Sequence, residues 1–309
     1  MEKIKVFIQE IFRWMYWYPC RYFIQCLPRN ISYACAKHIG CVSYFLFPGT
    51  RCKIEEGLKR FFSIKSDREI RSFVKKTFEE KAFSAIDIFY YPMLTKDTID
   101  NVVRYEGIEH IDTSLRLGKG VILMHGHFCN EEFLMPAMGH KGYPMNQIGS
   151  RWEPPAIGGW IGAIPGIIRR KAFQLRIGYR EKLPVTFHYV DKSLRSAYRC
   201  LEKNEVLLVA ADGREGTKWF NVPFLGTIFS FSPGVFQIAR RTSATVLPTF
   251  LIRDEDFFTF RLIIEKPFHV AEDDTINIYN FVRILEFYIK EYPWLYTKVF
   301  LLKDSFKGE

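Results

Sequence analysis

The sequence predicts an α/β fold, and three observations carry that expectation. From about residue 100 onward, short apolar runs alternate with stretches that repeat at helical spacing. Two of the runs, Val121–Met124 and Val206–Ala211, end in Gly-containing turns, as buried strands do. No internal repeat or low-complexity linker interrupts the chain, and 309 residues suffice for one large domain, alone or with a helical appendage.

Residues 1–28 are unusually aromatic, with Phe7, Phe12, Trp14, Tyr16, Trp17, Tyr18, Tyr22 and Phe23. Lys3, Lys5, Glu10, Arg13 and Arg21 interrupt them, so no run reaches the length of a bilayer span. Amphipathic rings mixed with cations suit a headgroup boundary. Ile31–Phe47 is about long enough to cross but contains Lys37 and His38. It is expected to dip into a membrane or pack on the domain, with a true span as the second reading and an ordinary helical hairpin as the plain one. Ala34-Cys35-Ala36 imitates a signal-peptidase site, yet Arg21, Pro28 and Arg29 break the apolar core a cleaved signal needs.

Ser66-Asp67-Arg68-Glu69 is a capping-box pattern, and Ile70, Phe73, Val74 and Phe78 mark the buried face of the helix behind it. Val102–Ile108 leads through Gly118-Lys119-Gly120 into the apolar run that ends at His127. Asn130, Glu131 and Glu132 then read as a helix start, which Pro136 should kink or delay. On a continuous helix His127 and Glu132 would face different ways. Across a strand-to-helix turn the carboxylate can swing back to the imidazole, and a carboxylate-oriented histidine is general-base equipment.

Ile148-Gly149-Ser150-Arg151 follows a second apolar approach, and the apolar, glycine-rich Gly158–Gly166 reads as a loop. Arg169-Arg170-Lys171 is a candidate headgroup patch or a plain solvated face. Asp191 can cap a helix carrying Leu194, Tyr198 and Leu201. Asp212-Gly213-Arg214-Glu215-Gly216 follows the Val206–Ala211 strand directly, where backbone turning alone would also favour Asp and Gly. Ser232 and Pro233 suit the N-cap and first position of a helix whose amides could face an anion. Ala244–Ile252 and Phe258–Ile264 read as strands, and Ile278, Phe281, Val282, Leu285 and Ile289 as the last amphipathic helix.

Composition narrows the partners. A formal charge of +10 and a pI of about 9.2 favour an anionic partner, and no zinc finger or RNP sequence points to nucleic acid. Seven scattered cysteines form no Cys-x-x-Cys pair, which reads as reduced, mostly buried thiols in a cytosol-facing protein. There is no Gly-x-Ser-x-Gly elbow, P-loop or dinucleotide fingerprint. His125 and His127 could be two metal ligands, but no third or fourth is evident nearby.

His127-Phe128-Cys129-Asn130-Glu131-Glu132 resembles the His-x-x-x-x-Glu/Asp box of the lysophospholipid acyltransferase superfamily. It is similar to the form His-Phe-Gly-Asn-Trp-Glu of the lipid A lauroyl/myristoyl acyltransferases, with Cys129 in place of Gly and Glu131 in place of Trp. Asp212-Gly213 resembles that family's Asp-Gln, with Gly213 replacing Gln; Val222-Pro223-Phe224-Leu225-Gly226 resembles Val-Pro-Phe-Phe-Gly. Tyr292-Pro293-Trp294-Leu295-Tyr296 is similar to its Pro-x-x-Trp-x-Trp ending.

The resemblance implies a central mixed sheet flanked by helices. Residues 1–50 would be a membrane-associating helical segment and 51–309 the acyltransferase domain. It implies transfer of a fatty acyl group from acyl carrier protein or coenzyme A, as co-substrate and not cofactor, to a lipid hydroxyl. His127 would be the base and Glu132 its orienting acid. Asn130, Arg151, Asp212, Gly213, Arg214 and Gly226 would be candidates for oxyanion or acceptor contacts. No metal is expected, and the place of action would be the cytoplasmic face of the inner membrane. A lipid A precursor is the expected acceptor, with a lysophospholipid or aminolipid left open. A thioesterase, or an anionic-lipid-binding membrane protein without catalysis, is the rival.

Overall fold

The computed structural model describes residues 2–62, 65–150, 163–190, 193–213 and 216–296. The N-terminal region is helical throughout. Helix α1 (Glu2–Met15) passes through a π-helical turn (Tyr16–Cys20) into α2 (Arg21–Cys26), and α3 (Arg29–Leu46), α4 (Pro48–Phe61) and α5 (Asp67–Tyr90) follow. Pro19 lies inside the π turn, where the wide hydrogen-bond spacing absorbs a residue lacking an N–H.

The expected capping box opens α5. Ser66 Oγ accepts from the Glu69 amide, Glu69 accepts from the Ser66 amide, and Ile70, Val74 and Phe78 are buried behind it. Helix α3 packs tightly along α5 through Ser32, Tyr33, Ala36 and Gly40. A Cβ on Gly40 would lie 2.7 Å from the Cα of Glu79, so the two backbones touch at that point. The second reading of Ile31–Phe47, a true membrane span, falls here. Among the described residues no helix is long and apolar enough to cross a bilayer, because one face of α3 is spent on α5 and polar residues interrupt it.

The rest of the chain is α/β, as predicted. Strands and helices follow as β1 (Val103–Glu106), α6 (Glu109–Leu115), β2 (Val121–His125), α7 (Leu134–Lys141), β3 (Met145–Gly149), α8 (Ala163–Glu181), β4 (Val185–Tyr189), α9 (Arg195–Glu202) and β5 (Val206–Ala210). Then come β6 (Phe220–Phe224), β7 (Thr227–Phe231), α10 (Gly234–Thr242), β8 (Thr245–Arg253), β9 (Phe260–Ile264) and α11 (Asp274–Glu291). Seven strands form one mixed sheet in the order β1-β9-β8-β2-β5-β3-β4, in which only β8 and β9 pair antiparallel. Strands β6 and β7 form a separate hairpin.

The apolar runs are continuous because both faces of the sheet are covered. Ile122, Met124, Leu207 and Val209 pack toward α9, α10 and α11. Val121, Leu123, Val206 and Leu208 pack on the other face with α7, part of α5 and the aromatic N-terminal region.

Several boundaries move. Strand β2 ends at His125, so His127 stands in the loop beyond it. A 3-10 turn (Glu131–Phe133) precedes α7, which begins late, with Pro136 at its third position where an amide has no helical partner anyway. The expected loop through Gly166 is already helix from Ala163 onward. Helix α10 starts at Gly234 with Pro233 as the flanking residue, one position later than expected with Ser232 as N-cap. Asp191 lies outside the described residues, and α9 starts after Leu194.

Gly40→Leu forces α3 away from α5. It is expected to cost about 1–3 kcal/mol, read as a lowered Tm and faster proteolysis between α3 and α4; an unchanged Tm would contradict the packing described.

Candidate active site

Parallel strands β2 and β5 are neighbours, with Met124 opposite Val209 and His125 opposite Ala210. Two residues beyond each strand end stand His127 and Asp212, which the register therefore brings side by side. The Asp212 carboxylate accepts from the His127 amide at 2.8 Å through Oδ2 and pairs with the His127 ring at Nδ1, 2.7 Å, through Oδ1. Tyr296 donates to Oδ2 at 2.9 Å from the last described residue of the chain. A Cβ on Gly126 would sit 3.2 Å from Oδ2, so the small residue between the two histidines leaves room for the carboxylate.

Burial would by itself push Asp212 up. The charge of His127, the bonds from its ring and amide and the bond from the Tyr296 hydroxyl outweigh burial and hold the carboxyl at about 2. The ionised carboxylate accepts at Nδ1, which places the ring proton there and assigns the basic lone pair to Nε2. His127 lines a cavity of 440 Å³ at the carboxyl ends of β2, β5, β3 and β4, where open α/β sheets form crevices. Glu132, Gly149, Arg180, Gly213 and Ser232 share that wall.

The expected pairing of His127 with Glu132 is corrected. Nδ1 is taken by Asp212, from a strand end 85 residues along the chain. The 3-10 turn sends Glu132 toward α8, where its Oε1 accepts from Arg176 Nη2 at 3.1 Å. Glu132 nevertheless lines the same cavity as His127.

Asn130 is also not where the sequence suggested. Its Nδ2 donates to Asp87 at 2.7 Å and lies 3.4 Å from the Tyr91 hydroxyl, beneath the loop and off the cavity wall. Asp87 and Glu80 of α5 both pair with Arg253 at the end of β8, at 2.6 and 2.8 Å. Burial disfavours that guanidinium's charge, but the two carboxylates hold its pKa far above the usual value. The His127 loop thus rests on a buried ionic floor.

Gly226 lies elsewhere in the fold. With Leu225 (φ 48°) and Gly226 (φ 75°) it forms the two-residue turn of the β6–β7 hairpin, away from the cavity wall. Gly213 does line the cavity. Arg151 and Arg214 lie outside the described residues. Arg169 is committed to Glu10 of α1, at 2.9 and 3.1 Å, and so joins α8 to α1.

Three participants escaped sequence reading in their present roles. Asp212 was singled out as an acceptor contact, not as the partner of His127. Arg180 carried only the weak signal of standing four residues after Arg176 on one helix. Tyr296 belonged to a noticed motif with no chemistry attached to it. Among the described residues no group of three or more His, Cys, Asp or Glu is arranged to hold a metal, and His125 Nδ1 lies 2.9 Å from the Gly126 carbonyl.

Cys129 has φ 56°, in the left-handed region, and its amide donates to the Leu295 carbonyl at 2.7 Å. That conformation explains why a glycine suits this place in related sequences. Burial, reinforced by the Glu80 carboxylate, pushes the Cys129 thiol far up and makes it a poor nucleophile.

The family model for bacterial lipid A biosynthesis acyltransferases matches residues 3–303. No individual curated protein matches the chain.

Cys129→Gly is expected to hold Tm at or above the wild-type value, since it removes about 1–2 kcal/mol of left-handed strain while giving up a small buried group. Cys129→Val should destabilise by about 2 kcal/mol or more, because a β-branched residue tolerates positive φ poorly. Paired thermal melts check both, and a stable valine variant would refute the backbone argument.

Proposed function

The chain belongs to the bacterial lipid A biosynthesis acyltransferase family and is an acyltransferase; from that premise we propose that it moves a fatty acyl group from a thioester to a hydroxyl of a lipid A precursor. The observation that carries this reading is the His127 imidazole, fixed by a buried, ionised Asp212 at the wall of the cavity.

In this reading Nε2 of His127 takes the proton of the acceptor hydroxyl as its oxygen attacks the thioester carbonyl. The tetrahedral oxyanion collapses, the C–S bond breaks, and the imidazolium returns its proton to the thiolate. The products are an ester and a free thiol, with no covalent enzyme intermediate. Asp212 stabilises the imidazolium and keeps the tautomer. Glu132 positions: its ion pair with Arg176 ties the loop after β2 to α8, the helix that brings Arg180 to the cavity. A guanidinium there matches a phosphate or a developing oxyanion. The donor is acyl carrier protein or coenzyme A, and the basic charge favours an acidic donor or acceptor.

Attachment to the cytoplasmic face of the inner membrane belongs to the same proposal. Phe12, Tyr22 and Phe23 on α1 and α2, and Phe45 and Leu46 on α3, stand more than half exposed. Helices with such faces and no span lie in the plane of the interface.

His127→Ala and Asp212→Asn should each lower transfer by about 10²–10⁴-fold while leaving the protein folded. Labelled acyl donor incubated with total lipid extract separates the alternatives: label enters lipid for a transferase, free acid for a thioesterase, and neither for a non-catalytic lipid binder. Near-wild-type transfer by His127→Ala would end the assignment. Lipid mass spectrometry of a strain lacking the gene, with and without complementation, tests the acceptor; an unchanged lipid A beside an altered second lipid would overturn it.

A further inference from the structure

A second cavity, a groove of 580 Å³ between the N-terminal helices and α8, carries chemistry that the acyl-transfer site does not use. Tyr18, Arg21 and Tyr22 line it from one side, and Lys171 and Tyr179 of α8, with Lys182 just past its end, from the other. It shares no lining residue with the cavity around His127. Three cations face it, and no Asp or Glu lines it.

Arg21 is the unusual member. It is only 7% exposed, and its guanidinium lies 4.2 Å from the ring centre of Tyr22 and 5.9 Å from that of Tyr179. Rings engage the faces of a guanidinium and leave its N–H edges for an acceptor in plane. Among the described residues Arg21 has no side-chain hydrogen bond or ion pair, and its Nε is fully buried without a partner. Arg253, whose side chain is buried to a similar degree, differs: it meets Glu80 and Asp87.

Burying a cation with no counter-charge is strongly unfavourable. The π turn imposes it. The Arg21 amide reaches back to the Tyr16 and Tyr18 carbonyls around Pro19, and this wide turn points the side chain inward. π turns inside helices recur at functional sites.

We propose that this groove binds the phosphate of a membrane-lipid headgroup, with Arg21 as the anchor and Lys171 and Lys182 as flanking charges. A phosphate fits because its oxygens accept the paired N–H edges of an arginine, and its charge answers a site that holds three cations and no carboxylate. A lipid is the source because Tyr22, which lines the groove, and Phe23 beside it on the same short helix stand exposed, and such rings occupy the headgroup level. The lipid as source rests on the membrane attachment proposed above; the phosphate chemistry does not.

The test uses the full-length protein, Arg21→Met, and a Lys171→Gln/Lys182→Gln double variant whose two changes lie on exposed positions of the groove wall. Inorganic phosphate should raise the wild-type Tm in a concentration-dependent way. The phosphate needed should rise by about tenfold or more in Arg21→Met, as expected for a lost bond to a charged group. Without phosphate, Arg21→Met should melt at or above the wild-type Tm, since an uncompensated charge is removed. Should that variant fail to fold, the double variant carries the same reading.

Vesicles of a neutral galactolipid, doped with phosphatidic acid or at equal charge with oleate, identify the source. Wild-type protein should sediment preferentially with phosphatidic acid, and both variants should lose the preference. An unchanged phosphate response in the variants would remove the site. Equal wild-type binding to the two vesicle types would remove the phosphate, and a response to free phosphate without a vesicle preference would remove the lipid. None of these readouts involves acyl transfer, so failure of the proposed reaction leaves them standing.

Discussion

The Asp212 carboxylate is the constraint on which the site depends. It is almost wholly buried, yet it remains charged, because the ring and amide of His127 and the hydroxyl of Tyr296 all converge on it. The carboxylate stands in the turn after β5, and its partners come from two other places: the loop after β2 and the segment after α11. A buried anion that loses one such partner keeps its desolvation cost and loses part of its compensation. The same contacts that set the tautomer of His127 therefore also close the sheet's carboxyl end. Neighbouring parallel strands in matched register are what make this possible, since their ends lie at one level.

Beneath that pair lies the second polar centre, Arg253 with Glu80 and Asp87. It connects α5 to the end of β8, and through Asn130 and the Tyr33 hydroxyl it also holds the His127 loop and α3. A hydrophobic replacement of such a cluster could be equally stable, whereas removal of one partner costs about 3–5 kcal/mol. What the ions add here is placement. Asn130, Cys129 and Leu295 fix the loop at successive points, so the imidazole stands on a backbone that cannot drift.

Helix α8 joins the two cavities. Arg169 ties it to Glu10 of α1, Arg176 to Glu132, and Arg180 reaches the cavity around His127, while Lys171 and Tyr179, with Lys182 just past its end, face the groove beside Arg21. Its neighbour α1, and α2 and α3 beyond it, expose large apolar residues such as Phe12, Phe23 and Phe45. The N-terminal helices and the site are thus parts of one packed body joined by ion pairs.

Much of this was legible in the residues. Apolar runs marked β2 and β5, and the Ser66 capping box opened α5, because each of these depends on local pattern alone. The family resemblance was legible too, through short motifs at strand ends. The partner of His127 was not. Glu132 was the nearest acid along the chain, but proximity in sequence does not order side chains across a turn, and the strand register delivered Asp212 instead. Nor did the sequence tell that Asn130 donates to Asp87 of α5 or that Gly226 serves the turn of a hairpin. Local pattern by itself determined which segments are strands and helices and placed a histidine just beyond the end of β2. Only tertiary structure decided which carboxylate holds that histidine and which buried arginine is left without a counter-charge, because pairing between distant segments is set by sheet register and helix packing, which no short stretch encodes.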